Sequence, residues 1–340
     1  MNKIRESNFE LLRIITMFMV LIVHADFIAT GSPTNDEISI FPLKSFVKFL
    51  IEALTIIAVN VFVLISGWFG IRPKVSSFFK LFFQVAFINT ICVTALLFTG
   101  EKIPLKDIIK NIVMADEGQW FVKIYMLLYL LSPVLNKYAE TVSKKEFCFM
   151  LVSYLSFQTI YGWYFKTIAE LDLGYSLASF IMLYLIGRFI NIYAKELRSR
   201  ITAFKAFGGY LLLSLIITFI VFYKIPLRGY AYSYTSPLVI MSSIAFLLTF
   251  SKMKFSNNTV NWIASSCFSV YLLHMNKYVA PRYLLLLNSI YQNNSFAHYC
   301  LYALAISIGV FVISILIDKI RYVFFLLIVG LWNFRPHYHH

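Results

Sequence analysis

Arg13 and His24 stand eleven residues apart inside one apolar run. Eleven steps of about 100° make three turns and about 20° over, so the two share one helix face, roughly 16 Å apart along the axis. Glu10, three residues before Arg13, is spaced to pair with it. One stripe therefore carries an ion pair near one end and an imidazole deeper in. Ionisable groups inside an apolar span are costly and point first to function. A guanidinium holds phosphates or carboxylates, and a neutral imidazole takes a proton from a hydroxyl. The competing reading of His24 is a polar stripe that only packs against other helices.

Two further groups join by depth. His24 and His274 each lie about 15 residues into runs entered from one side, and Glu52 about six residues into a run entered from the other. At about 1.5 Å per residue, all three fall in the outer half of a bilayer. A carboxylate beside a neutral His fixes its tautomer and raises its basicity. Arg13, His24 and Glu52 are thus the candidate catalytic set. His274 is a candidate on the acceptor side, with Trp120 and Tyr125 as aromatic surfaces for a ring. Glu52 has a plainer alternative, pairing with Lys48 one turn earlier. The loop after the second run reads Phe62 to Lys74; in it Ser66-Gly67 lets helices approach closely, and Arg72 and Lys74 follow. Cations there suit a polyanionic cofactor, although loops on the cytoplasmic side of a membrane are basic anyway. The sequence has no phosphate-binding glycine loop, dinucleotide fingerprint or G-x-S-x-G elbow. A phosphate site must come from basic side chains and helix ends.

The elements that hold these groups are membrane spans. Of the 340 residues, 60% are hydrophobic and 14% charged, with mean hydropathy +0.75. Soluble domains run at about 45–50% apolar and about 25% charged. Apolar runs cover 9–30, 46–70, 77–99, 120–136, 147–165, 175–194, 204–223, 232–251, 259–280 and 296–317. The fourth is interrupted by Ser132-Pro133. This predicts an all-α polytopic membrane protein of about ten transmembrane helices. With the N-terminus inside, eighteen of the 30 Lys and Arg residues fall in inner loops and ten in outer ones, with Arg13 and Lys123 at span ends. That bias predicts both termini in the cytoplasm. The net charge of +14 then reports topology and not a nucleic-acid partner. The first run reads as a retained helix, because Arg13 interrupts it and no small-x-small cleavage site follows. Tyr322 to Phe334 is too short to cross alone and is expected to lie in the interface or re-enter. His337, His339 and His340 form a short tail (336–340), and 1–335 reads as one domain. Cys92, Cys148, Cys267 and Cys300 have no metal or disulfide spacing, and no metal is expected.

The same residues carry a family resemblance. Asn8-Phe9-Glu10-Leu11-Leu12-Arg13 through His24 is similar to the Arg-x10-His signature on the first helix of the acyltransferase-3 family of integral membrane acyltransferases. Phe62 to Phe69 resembles that family's second-helix Ser-Gly motif. Similar stretches follow in order: Trp120-Phe121 to Pro133, Gly174-Tyr175-Ser176 to Gly187, Tyr234 to Pro237, Tyr271-Leu272-Leu273-His274 and Ile317-Asp318-Lys319-Ile320-Arg321. The resemblance implies a ten-helix core that moves an acyl group, often acetyl from acetyl-CoA, onto a carbohydrate hydroxyl. It ties Arg13 and His24 to activity. It links the first inner loop to the donor, often through two arginines, where this chain has Arg72 and Lys74. Lys keeps the charge and loses the bidentate fork. Many relatives carry an added hydrolase-like domain, and this chain is expected to act as a stand-alone transferase in the bacterial cytoplasmic membrane.

Three functions follow. In the first, acetyl-CoA docks on Arg72, Lys74 and Arg13, and His24 serves as general base on a hydroxyl of a polysaccharide or lipid-linked glycan, or first takes the acyl group itself. Glu52 orients His24. The second is a transporter or flippase of a lipid-linked glycan, disfavoured by the lack of paired broken segments. The third is a non-catalytic membrane scaffold, which needs no Arg–His stripe.

Overall fold

In the computed structural model, which describes residues 6–333 other than Glu117 and Asp172, each apolar run has become helix. The chain is 81% helical, and the described residues contain no strand. The helices that build the site are α1 (Ser7–Val23), α2 (Pro42–Thr55), α3 (Ala58–Phe69), α4 (Val75–Phe98), α5 (Trp120–Thr141), α6 (Leu177–Tyr193), α7 (Asn258–Ala264), α8 (Phe268–His274) and α9 (Phe296–Asn333).

Five segments among the described residues are long and apolar enough to cross a membrane: Ser7–Ile28, Pro42–Phe69, Val75–Phe98, Ala203–Tyr223 and Phe296–Phe325. Leu177–Tyr193 and Pro237–Ser251 are apolar but shorter. The remaining predicted spans are helical but broken or more polar. The fourth, α5, runs unbroken through Pro133 and carries Lys123, Lys137 and Glu140.

Four local features depart from the sequence reading. The second predicted span is two helices, α2 and α3, joined at Ile56-Ile57. The ninth is also two, α7 and α8, separated by Ser265–Cys267. Paired interruptions therefore exist, and their supposed absence no longer counts against transport. Phe62 to Phe69 belongs to α3; the loop proper is Gly70 to Lys74. Finally, Tyr322 onward neither re-enters nor lies apart: it continues α9 to Asn333. The charged group that suggested an end is compatible with helix because Asp318 and Arg321 pair at i,i+3, 2.7 Å apart. Phe334 and the histidine tail fall outside the described residues.

Helix α1 is the centre of the bundle, touching α2, α3, α7, α8, α9 and Pro237–Ser251. Phe9 packs on Trp68 and Phe69, and the Asn8 side chain donates to the Phe250 carbonyl at 3.0 Å. Helices α3 and α6 meet backbone to backbone. A Cβ on Gly67 would sit 2.1 Å from the Tyr184 carbonyl oxygen, and one on Gly187 would sit 2.4 Å from that of Leu64. The Ser66-Gly67 close approach expected from sequence is realised there. Gly70 ends α3 at φ +71°, a left-handed backbone that glycine adopts without a Cβ penalty.

Candidate active site

One face of α1 lines two cavities in turn. Arg13 and Met17 line a middle cavity of about 270 Å³. Met17, Val20 and His24 line an outer cavity of about 340 Å³. The steps of four, three and four residues are those of one helix face. The stripe read from the sequence is therefore present. Arg13 is paired with buried Glu10 at 2.7 Å, also as the spacing required.

His24 opens a five-residue π-helical turn, His24–Ile28. Such wide turns rotate side chains off the regular helical face and recur at functional sites. The His24 Nδ1 lies 2.8 Å from Nε2 of His274, and the Nδ1 of His274 lies 2.5 Å from the Val270 carbonyl oxygen. A carbonyl can only accept, so Nδ1 of neutral His274 bears its proton and Nε2 is an acceptor. His24 must then donate from Nδ1. Its own Nε2 is left with a free lone pair, the form a general base needs. The depth match between His24 and His274 is thus a direct contact. His274 is buried behind His24 and is not on the cavity wall.

Glu52 and Trp120 line the outer cavity with His24. The expectation that Glu52 orients His24 is not met by a hydrogen bond; His274 occupies that place. Among the described residues, Glu52 Oε2 and Tyr271 Oη are buried without a hydrogen-bond partner, and both side chains line this cavity. Tyr125 is one cavity further in, beside Arg13, with its hydroxyl 3.1 Å from Ser66 Oγ. Arg72 and Lys74 are exposed on the Gly70–Lys74 loop. The loop is fixed to the bundle by Tyr129 accepting from the Lys74 N–H at 2.8 Å and Tyr184 accepting from the Ile71 N–H at 2.8 Å.

One residue, Asp26, escaped the sequence reading, and Lys48 has a partner other than the one expected. Asp26, on the π turn, is buried and lies 3.7 Å from Lys48 Nζ, itself buried. Lys48 also donates to Thr30 Oγ1 at 2.8 Å and to the Gly31 carbonyl at 2.7 Å. Lys48 therefore clamps the chain just beyond His24 instead of pairing with Glu52. The available signal was a second carboxylate two residues after His24, still inside the apolar run. Among the described residues, no three His, Cys, Asp or Glu side chains converge as a metal site would require.

Helices of membrane-spanning character surround the contacting pair His24 and His274. The family model described as an acyltransferase domain (Acyl_transf_3) matches residues 6–319. The chain belongs to the acyltransferase-3 family and is a multi-pass membrane acyltransferase. No curated protein and no solved structure matches it.

Proposed function

We propose that this protein transfers an acetyl group from acetyl-CoA to a hydroxyl of a carbohydrate, such as a cell-envelope polysaccharide or lipid-linked glycan. In this reading the membrane is the bacterial cytoplasmic membrane. The chain crosses it about ten times as one domain over 1–335, with both termini in the cytoplasm.

The observation that carries the proposal is His24 on the wall of the outer cavity, with His274 in contact behind it. His24 Nε2 takes the proton of the acceptor hydroxyl. The hydroxyl oxygen attacks the thioester carbonyl, a C–O bond forms, the C–S bond breaks, and the proton passes to the leaving thiolate. Covalent capture of the acyl group by His24, followed by transfer, uses the same lone pair. Glu52 Oε2, which lacks a protein partner among the described residues, accepts a second acceptor hydroxyl, and Trp120 stacks on the sugar ring. Tyr125 and Arg13 contact the donor in the middle cavity. Arg72 and Lys74 attract its phosphates.

The test is acceptor-dependent release of CoA thiol from labelled acetyl-CoA by the protein in membranes. The transport reading gains one observation, the interruptions at Ile56-Ile57 and Ser265–Cys267 beside the cavities. Glycan movement without donor consumption would favour it over acyl transfer.

A further inference from the structure

A third cavity, of about 690 Å³, lies at the Ser7 end of α1. Asn261, on its wall, accepts a hydrogen bond from Ser7 Oγ at 3.0 Å, which fixes that level. Among the described residues, its charged lining is Lys80 of α4 with Asp318, Lys319 and Arg321 of α9, three cations against one carboxylate. That carboxylate is already engaged. Gln84 donates to Asp318 Oδ1 at 2.8 Å, and Arg321 donates to its two oxygens at 2.7 and 3.3 Å. Lys319 Nζ sits 4.3 Å from the Trp262 ring centroid and donates to the Trp262 carbonyl at 2.7 Å. Trp262, Tyr322 and Phe325 add aromatic faces to the same wall.

We propose that this inner cavity seats the phosphorylated adenine nucleotide end of the acyl donor. The inference rests on the acyl-CoA reading above and names the place where that donor is recognised. Clustered cations match a polyphosphate, and aromatic faces accept a purine ring by stacking. The volume lies within the range of about 300–1,000 Å³ usual for ligand cavities.

Position supports the assignment. The inner and middle cavities share Leu81 and Gln84, and the middle and outer cavities share Met17, Phe62, Phe121 and Phe268. The break between α7 and α8 puts Ser265 and Ser266 on the inner cavity and Ala264 and Cys267 on the middle one. A ligand with a charged head and a thin arm would lie along this series. The arm would follow the Arg13 to His24 face, roughly 16 Å of helix. Arg72 and Lys74 line none of the three cavities. The Lys74 carbonyl accepts from the Ser77 N–H at 3.0 Å, and Ser77 is on the inner cavity's wall. Lys74 therefore stands about one turn away, and Arg72 is two residues before it in the same loop, where the two cations would draw the donor in.

The test uses the full chain in phosphatidylcholine nanodiscs, with labelled adenosine 3′,5′-bisphosphate as probe. Saturable, salt-sensitive binding is expected, weakened roughly tenfold or more in Lys80→Glu/Lys319→Gln. Lys80→Glu alone, a change at an exposed residue, gives part of that loss and guards against misfolding of the double variant. The KM for acetyl-CoA should rise by the same factor at unchanged kcat. Rates with S-acetylpantetheine, which has no nucleotide, should stay as in the wild type. No bisphosphate binding to the wild-type protein, undiminished binding to the variants, or equal losses with both donors would overturn the seat. Displacement of the probe when phosphatidylglycerol is added to the nanodisc would overturn it too, in favour of a lipid headgroup. Bisphosphate binding that is lost in the variants, in a protein that transfers no acetyl group, would keep the seat and reject the acetyltransferase reading.

Discussion

Replacing His274 by alanine removes the acceptor for His24 Nδ1–H, a contact of 2.8 Å. In a buried setting, leaving such a donor unsatisfied costs about 1–3 kcal/mol. The ring then has no reason to keep its proton on Nδ1, and tautomers or ring flips that occupy Nε2 gain population. At about 1.4 kcal/mol per tenfold, kcat should fall roughly 5- to 150-fold. The donor KM should change little, because His274 is buried away from the cavity surface. His274→Gln puts an amide oxygen near the position of Nε2 and should recover a large part of the rate. The assay is initial-rate acetyl transfer in nanodiscs, normalised to protein that elutes as a single folded species. Wild-type kcat in folded His274→Ala, or a glutamine variant no better than alanine, would refute the orienting role.

Three more outcomes follow. Glu52→Gln keeps the shape but replaces one acceptor oxygen by an NH₂ donor, so the acceptor kcat/KM should drop roughly tenfold, on the scale of one buried hydrogen bond lost, with acetyl-CoA binding by calorimetry unchanged. Lys48→Met leaves Asp26 buried beside an uncharged neighbour, and stability should fall by about 3–5 kcal/mol; adding Asp26→Asn should restore much of it, as read from thermal unfolding of both variants. Gly67→Ala forces a methyl to within 2.1 Å of the Tyr184 carbonyl oxygen, and overpacking of this kind should cost about 1–3 kcal/mol or more, seen as a lower unfolding temperature and less folded protein in the membrane.

Features that depend on one helix were legible in the sequence. The Arg13–His24 stripe and the Glu10–Arg13 pair follow from helical spacing alone, and the structure keeps both. Ser66-Gly67 also foretold a close contact, because a missing Cβ has few uses inside an apolar helix. Features that depend on two helices were legible only in depth. Rise per residue put His24, His274 and Glu52 at one level, but only packing around α1 decides who touches whom. It gave His274 to His24, and gave Lys48 to Asp26 instead of Glu52.

The breaks at Ile56-Ile57 and Ser265–Cys267 and the π turn at His24 carry no glycine or proline. They are products of tertiary packing, and no local propensity announces them. Arg72 and Lys74 were conspicuous because they follow a motif. Lys80 was not, and Lys319 and Arg321 stood in a family-similar stretch without a role, because an inner-loop cation kept for topology and one turned toward a cavity look alike in a sequence.

The central claim is that His24 performs the proton or acyl transfer inside the outer cavity. Its most direct test is the acceptor-dependent release of CoA thiol by His24→Ala, compared with wild type at matched amounts of folded, membrane-inserted protein. The account predicts a loss of at least about a hundredfold, with acetyl-CoA still bound. Wild-type turnover by the folded variant would contradict it, and would remove the base and the acyl-histidine routes together.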